Sequence, residues 1–539
     1  LTRYSHLITD DNRKWWTLGA MCFALFMIML DNTVVNVALP SIQKDLGASI
    51  SGLEWTINGY TLSFAVLLAT GGRLGDIFGR RLTFLIGVVI FALSSATAGF
   101  APDETSLVVS RVVQGVGAAL MMPGTLSIIT DAFPPQERGK AMGTWAGVSA
   151  LALAIGPVLG GFLTEHVSWR AIFYINIPVA VGAVLATIFA VRESRDTSVG
   201  REVDYGGVAV LTVGLTALVL ALVEGNSWGW GSAEIIALLV AAAAALPTFV
   251  FVENRVKAPM VQFDLLSDRD FLAAVVVAMI ISFAMLGVFF FLALYMQDIL
   301  GYTPLEAGIR FLPSTLMIVG VAPVAGRLSD RFGPRWLIAG GLTIVAASLF
   351  SFSRIAVDSG YLDLLPGFML LGIGIAMTMS PMTSAAMNAV PVQKAGIASG
   401  VLSMFRMVGG SLGVAVTGAI FQGLVSSRLD SLLSGSGVSA AQRDAVSEQL
   451  GGGSVAKVPG LDPGQAKQVT VAGGEAFVYA LGHAMTVSGF VALLGATIGA
   501  IAIRAKAKGH TSVEAAAAEA NPGGEALAAE EAQEAAQAA

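Results

Sequence analysis

The chain has 539 residues, of which 55% are hydrophobic and only 13% charged, and its net charge is −6. Soluble domains carry about 25% charged residues, so the composition excludes a surface that faces water throughout. The net charge averages two populations of loops with an acidic tail, and gives no ground for a nucleic-acid partner. A single cysteine, Cys22 in an apolar run, excludes an intrachain disulfide or a thiolate metal cluster.

A membrane-spanning helix needs about 20 predominantly apolar residues. Fourteen such stretches follow one another, near 15–39, 51–71, 82–101, 105–129, 140–164, 169–191, 206–224, 233–252, 271–297, 304–326, 335–354, 361–388, 395–424 and 475–503. The first is too long for the apolar core of a signal peptide, so no cleavable leader is expected. Residues 1–14 read as a short polar arm. Residues 425–474, rich in Ser and Gly, read as an external loop with a short helix near 439–450. Residues 509–539, rich in Ala and Glu, read as a disordered or loosely helical cytoplasmic tail.

Lys and Arg set the orientation. They cluster at Arg13 and Lys14, then after the second stretch (Arg73, Arg80, Arg81), the sixth (Arg192, Arg195, Arg201), the eighth (Arg255, Lys257, Arg269), the tenth (Arg327, Arg331, Arg335) and the last (Arg504, Lys506, Lys508). The alternate loops are nearly free of positive charge. Both termini are therefore expected in the cytoplasm, which requires an even helix count, and Trp228 and Trp230 fit an aromatic belt at the outer interface.

One pattern occurs twice. Gly72-Arg-Leu-Gly-Asp76-Ile-Phe-Gly79-Arg80-Arg81 returns as Gly326-Arg-Leu-Ser-Asp330-Arg331-Phe-Gly333-Pro334-Arg335, with seven of ten positions matching at an offset of 254. Both copies join two helices on the cytoplasmic side, as a duplicated six-helix unit requires. The offset exceeds six helices by about two, so 15–191 and 271–503 are read as the bundles and 206–252 as two inserted helices. In these loops Gly72, Asp76, Arg80, Arg81, Gly326, Asp330 and Arg331 are candidate gating residues. Asp76 can sit near a helix N-terminus, where the dipole favours negative charge. The plainer alternative is a basic interfacial loop with i,i+4 pairing.

The duplicated loop resembles the signature of the major facilitator superfamily. Further segments narrow the resemblance: Leu30-Asp31-Asn32-Thr33 with Asn36 and Pro40 in the first helix, Arg111 with Gln114, Gly115 and Gly117 in the fourth, Gly147 and Gly156-Pro157-Val-Leu-Gly160-Gly161 in the fifth, and Trp169-Arg170 with Asn176 and Pro178 at the sixth. Together these look like the fourteen-helix drug:proton antiporter branch, over roughly 15–425 and the last helix. The resemblance implies an all-α major facilitator fold, two six-helix bundles about a midplane cavity with two linker helices outside, in a bacterial plasma (inner) membrane. It implies multidrug efflux by proton-coupled alternating access, and marks Gly147, Gly156, Pro157, Gly160 and Gly161 as an antiporter motif. The plainer alternative for those glycines is a packing face where two helices approach closely.

Charges inside lipid are costly and default to functional hypotheses. Asp31 lies eight residues from the outer end of the first helix and Arg111 about six from that of the fourth, which runs the other way. At 1.5 Å per residue both lie roughly 9–12 Å deep, so they can pair. A pair that breaks on a conformational change would take up a proton; the alternative is a permanent structural pair. Arg406, mid-way along the thirteenth helix, either meets substrate or binds helix-end carbonyls. Gln297, Asp298, Glu306 and Arg310 are further cavity candidates, although Glu306 and Arg310, four apart, can pair along one helix face. Asn32, Trp55 and Tyr60 are candidate cavity residues, with interfacial anchoring the alternative for the two aromatics. Glu224 is a weaker candidate.

No phosphate-binding Gly-x-x-x-x-Gly-Lys-Ser/Thr loop is present, and the four histidines are scattered, so neither ATP, a metal nor another cofactor is expected. The reading is a secondary transporter, not an enzyme, that exports an amphipathic small molecule in exchange for protons, as a monomer among membrane lipids. A lipid transporter on the same fold is the nearest alternative. A proton-coupled importer and, from another class, a non-transporting membrane sensor or receptor are the others.

Overall fold

A computed structural model describes residues 9–195, 204–256, 263–390, 395–434 and 462–504, with 259, 261, 436–439, 442, 443 and 446 between them. The expected helix near 439–450 lies largely outside the described residues, and the 509–539 tail wholly so.

The described chain is built from long helices: α1 (Asp10–Leu46), α2 (Ile50–Phe78), α3 (Arg80–Gly99), α4 (Glu104–Ala132), α5 (Pro135–His166), α6 (Asn176–Ala190), α7 (Tyr205–Trp228), α8 (Ala233–Glu253), α9 (Arg269–Leu294), α10 (Leu312–Phe332), α11 (Pro334–Phe352), α12 (Tyr361–Asn388), α13 (Ala395–Leu433) and α14 (Pro463–Ala502). Among the described residues thirteen spans, each including one of these helices, are long and apolar enough to cross a membrane, and α5, at 32 residues, has the length to do so. Short helices at Ala171–Tyr174 and Pro304–Arg310 precede α6 and α10. This is a multi-pass helical membrane protein, as its composition requires: in hydrocarbon each backbone N–H and C=O must bond within its own segment. Bulky apolar side chains such as Leu93, Phe251, Phe490 and Leu494 stay exposed on the outside of the bundle, where lipid solvates them.

Several helices start at side-chain caps rather than where hydropathy rises. Thr9 caps α1, Ser49 α2, Asp103 α4, Ser232 α8 and Asp462 α14, each accepting a first-turn backbone N–H. As a result α1 and α14 overrun the apolar stretches, and α13 also runs past its own. α13 continues to Leu433 and α14 begins at Pro463, so much of the segment expected as a 425–474 loop is helical. The two copies of the repeated loop each turn at a glycine with positive φ, Gly79 at 121° and Gly333 at 84°. A side chain there would be strained, which accounts for glycine at both.

α1–α6 pack into one half and α9–α14 into the other. α10 and α13 are the second and fifth helices of their half, as α2 and α5 are of theirs. The halves meet along two seams, α2 on α13 and α5 on α10 with the Pro304–Arg310 helix, and these seams exchange under the repeat. α7 packs on α2 and α13 at one seam, while α8 packs on α7. The inserted pair thus lies outside both bundles, with α7 against the joint.

Candidate functional site

Asp31 is fully buried in α1, and Arg111 of α4, 2% exposed, pairs with it at 2.5 Å. The pair sits in a hydrogen-bonded network drawn from several helices of one half. Arg111 Nη1 also donates to Gln114 Oε1 at 2.7 Å, and its Nε donates to the Thr56 carbonyl at 3.0 Å. Gln114 Nε2 donates to the other Asp31 oxygen at 2.9 Å, and Asn176 Nδ2 reaches that oxygen at 3.4 Å and Ser95 Oγ at 3.0 Å. The Tyr60 ring lies under the guanidinium, 4.3 Å from its carbon, where a cation is attracted to the π face. Two buried charges are tolerable only when paired and hydrogen-bonded on their remaining sites, and this network supplies both. Tyr60 therefore belongs to the charge network and not to a cavity wall.

The next residues of α1 face the other way. Asn32, Thr33 and Asn36 line a cavity between the halves, with Phe64, Met122, Trp145, Ser149 and Pro157 from one half and Ser282, Met285, Phe289, Phe311, Thr315, Ser403 and Arg406 from the other. Its wall is mainly apolar with a few convergent polar groups, the usual character of a small-molecule site. Arg406 is thus a cavity residue, and its Nε has no hydrogen-bond partner among the described residues.

Hydrogen bonds join the halves, among the described residues, towards the ends poor in Lys and Arg. Gln297 Nε2 donates to the Val37 carbonyl at 2.8 Å, the Leu305 N–H to Glu165 at 3.0 Å, Ser411 to Asn58 at 2.9 Å, and Gln422 to Glu54 at 3.1 Å. Lys44 Nζ approaches the fully buried Asp298 carboxylate at 3.5 Å. Close backbone approach adds to this. A Cβ on Gly161 would strike the Pro304 carbonyl, and one on Gly308 the Pro157 carbonyl. On its α1 side α5 packs as tightly: Cβ atoms on Gly156 and Gly160 would strike Thr33 and Val34, next to Asp31. A Cβ on Gly147 would meet nothing within 4 Å, so no close approach accounts for that glycine. The cavity is closed at this end and its lining continues towards the arginine-rich ends.

Several candidates lie elsewhere. Gln297 and Asp298 stand between the halves against α1. Trp55 donates to Glu224 of α7 at 3.2 Å. Glu306 caps its own short helix by accepting from the Thr303 N–H at 3.0 Å, and Arg310 donates to the Glu306 carbonyl at 3.1 Å and stacks 3.8 Å over Tyr302. Their side chains do not pair, because the N-terminal N–H groups of the helix claim the carboxylate. Neither residue lines the cavity.

In the first repeated loop Arg80 donates twice to Asp76, both at 3.1 Å. Arg81 bonds the Ile188 carbonyl at 2.9 Å, and Glu193 accepts the N–H groups of Arg81 and Leu82 at the start of α3. Gly72 packs on Pro123 of α4. In the second loop Gly326 lies on Ser380, and Arg331 sits 5.3 Å from the Phe332 ring; the Asp330 side chain is outside the described residues.

Sequence reasoning missed Glu54, which is fully buried against Gly418 and Gln422. Standing at the fourth residue of its stretch, it has the position of an interfacial acid, and only the opposing helix reveals its burial. Gln114 and Asn176 were noted as motif residues but not as partners of Asp31.

A sequence profile described as Major Facilitator Superfamily matches residues 21–414. The chain is 35% identical over 496 residues to the tetracenomycin C resistance and export protein of Streptomyces glaucescens, covering 90% of this chain and 91% of that protein. It is 39% identical over 424 residues to a puromycin resistance protein of Streptomyces alboniger, covering 78% and 84%. Among solved structures, a bacterial homologue of the human lysosomal transporter Spinster, inward-facing and unoccupied, matches with a TM-score of 0.63 at 16% identity, covering 91% of this chain and 98% of that one. At that identity the likeness speaks for the fold.

Proposed function

Because the chain belongs to the major facilitator superfamily, we propose that it exports amphipathic small molecules across a bacterial plasma membrane in exchange for protons. The observation that carries this reading is the arrangement about α1: a cavity on one face, and behind it a buried acid–base pair that one proton would break. With the contacts between the halves made at the ends poor in Lys and Arg, taken as external, this state is read as closed outside and open towards the cytoplasm. That is the loading state of an exporter, and a proton-exchanging exporter should enter it with its proton site empty. The Asp31 carboxylate paired with Arg111 is read as that site. The relatives' printed names, export and resistance, agree in direction. The chain performs no chemistry on its cargo, and a single copy contains the whole pathway.

In everted membrane vesicles, an imposed pH gradient, acid inside, should drive accumulation of a lipophilic fluorescent cargo, and a protonophore should abolish it. Accumulation that needs ATP and ignores the pH gradient would overturn the reading.

The topology has its own check. In a Cys22→Ser background, Ser434→Cys at the end of α13 should react with an impermeant maleimide added to whole cells. Reaction only after permeabilisation would reverse the orientation.

The repeated loop is proposed as a latch. Here Asp76 bonds Arg80 of its own half; when the inner ends close, it stands where it can engage the opposite half. Asp76→Asn should lower turnover about five-fold, the weight of roughly 1 kcal/mol on one state, with folding and cargo affinity kept. Wild-type turnover in proteoliposomes would remove the latch.

A further inference from the structure

The charge on the cavity wall is one-sided. Among the described lining residues Arg406 is the sole charged side chain. None of the buried carboxylates Asp31, Glu54 and Asp298 lines the cavity: Asp31 pairs with Arg111, Glu54 accepts from Gln422, and Asp298 lies 3.5 Å from Lys44. An arginine resists deprotonation and seeks planar anionic oxygens in two-point contact, and without a counter-charge it is costly to bury.

A second donor points the same way. Trp145 lines the same cavity, and its indole N–H is buried beside it without a hydrogen-bond partner among the described residues. A buried donor left unpaired costs free energy until something accepts from it. Around these two groups the wall is soft and aromatic, with Phe64, Phe289 and Phe311 beside four methionines. Thioethers adapt to varied ring shapes.

Resting on the exporter reading, we propose that the cargo is an amphipathic organic anion. Its acidic oxygens, of carboxylate, sulfonate or phosphate type, sit on Arg406 with help from Trp145, and its apolar body lies against the phenylalanines and methionines. A hydrophobic cation of the same size meets the guanidinium without any acid to hold it, and is disfavoured. Aromatic acids and anionic lipid headgroups share this chemistry, and the test separates them.

The test is equilibrium binding to the full chain in phosphatidylcholine nanodiscs, by titration calorimetry against empty nanodiscs. The probes are 2-naphthalenesulfonate and 2-naphthyltrimethylammonium, which share a ring and differ in the sign of charge. The sulfonate should bind about ten-fold more tightly, the worth of one charge-assisted contact. Arg406→Gln should erase the difference, Arg406→Lys should keep part of it, and Trp145→Phe should weaken the sulfonate alone. Size-exclusion profiles confirm that each variant is folded. Equal binding of the two probes, or a preference that survives Arg406→Gln, overturns the inference. Displacement of the sulfonate by phosphatidylglycerol, lost with Arg406→Gln, would identify the anion as a lipid headgroup; displacement only by soluble aromatic acids would identify it as a free acid. Either supports the anionic class. Because binding is read without transport, the two readings fail separately. A pH-driven exporter with no anion preference sinks this inference alone, and anion binding without pH-driven movement sinks the exporter alone.

Discussion

Asp31→Asn is expected to abolish export driven by a pH gradient while leaving cargo binding measurable. Asparagine keeps the shape and most hydrogen bonds but cannot gain or lose a proton. It also strips a buried Arg111 of its counter-charge, and breaking one side of a buried pair costs about 3–5 kcal/mol. Lost activity could therefore reflect lost stability, and the control is Asp31→Asn combined with Arg111→Gln. With both charges gone no buried charge is left unpaired, so thermal stability should return most of the way towards wild type. Pumping should not return. The measurement is accumulation against the cargo gradient in proteoliposomes with an imposed pH difference, beside thermal unfolding of each variant. Accumulation by a stable double variant would show that protons are carried elsewhere, with Asp298 and Glu54 the buried carboxylates to examine next.

Gly308→Val is expected to hold the outer end open. Its Cβ would fall on the Pro157 carbonyl, a backbone atom in a helix that cannot step aside as a flexible side chain would. Forcing atoms into a packed contact costs about 1–3 kcal/mol, and here only the outward-closed state bears that cost. The population should shift about 5- to 150-fold towards the outward-open state. Met285, on the cavity wall, serves as reporter. In a Cys22→Ser background, Met285→Cys should become reactive to an impermeant thiol reagent added outside, and export should fall with the shift. Unchanged labelling with wild-type export would mean that the contact between α5 and the Pro304–Arg310 helix does not close the cavity.

The all-helical fold was legible because hydrocarbon imposes one length on every span and because the repeated loop marks equivalent points in the two halves. The contact between Asp31 and Arg111 was legible for a related reason: a fixed rise per residue converts position into depth, and two charges at one depth in lipid have few other partners. Helix ends were less legible, since caps such as Thr9 and Asp462 act where hydropathy has already fallen. Glu306 and Arg310 show how local signals compete, as one spacing serves a salt bridge and the other a helix cap. Glu54 and the α5 contacts with the Pro304–Arg310 helix were out of reach. They depend on which helix of the other half arrives opposite, and each stretch read alone is silent about its neighbour.

α1 presents Asp31 to the interior of its own bundle and Asn32, Thr33 and Asn36 to the cavity, so on the proposed reading engine and cargo hold occupy opposite sides of one helix. Selection can then act on the two almost independently. A lineage exposed to a new toxin can alter the methionines and phenylalanines of the wall one at a time, and each intermediate still pumps. Broad and readily changed resistance is the history such a partition favours, because no step towards a new compound passes through a carrier that has lost its power supply.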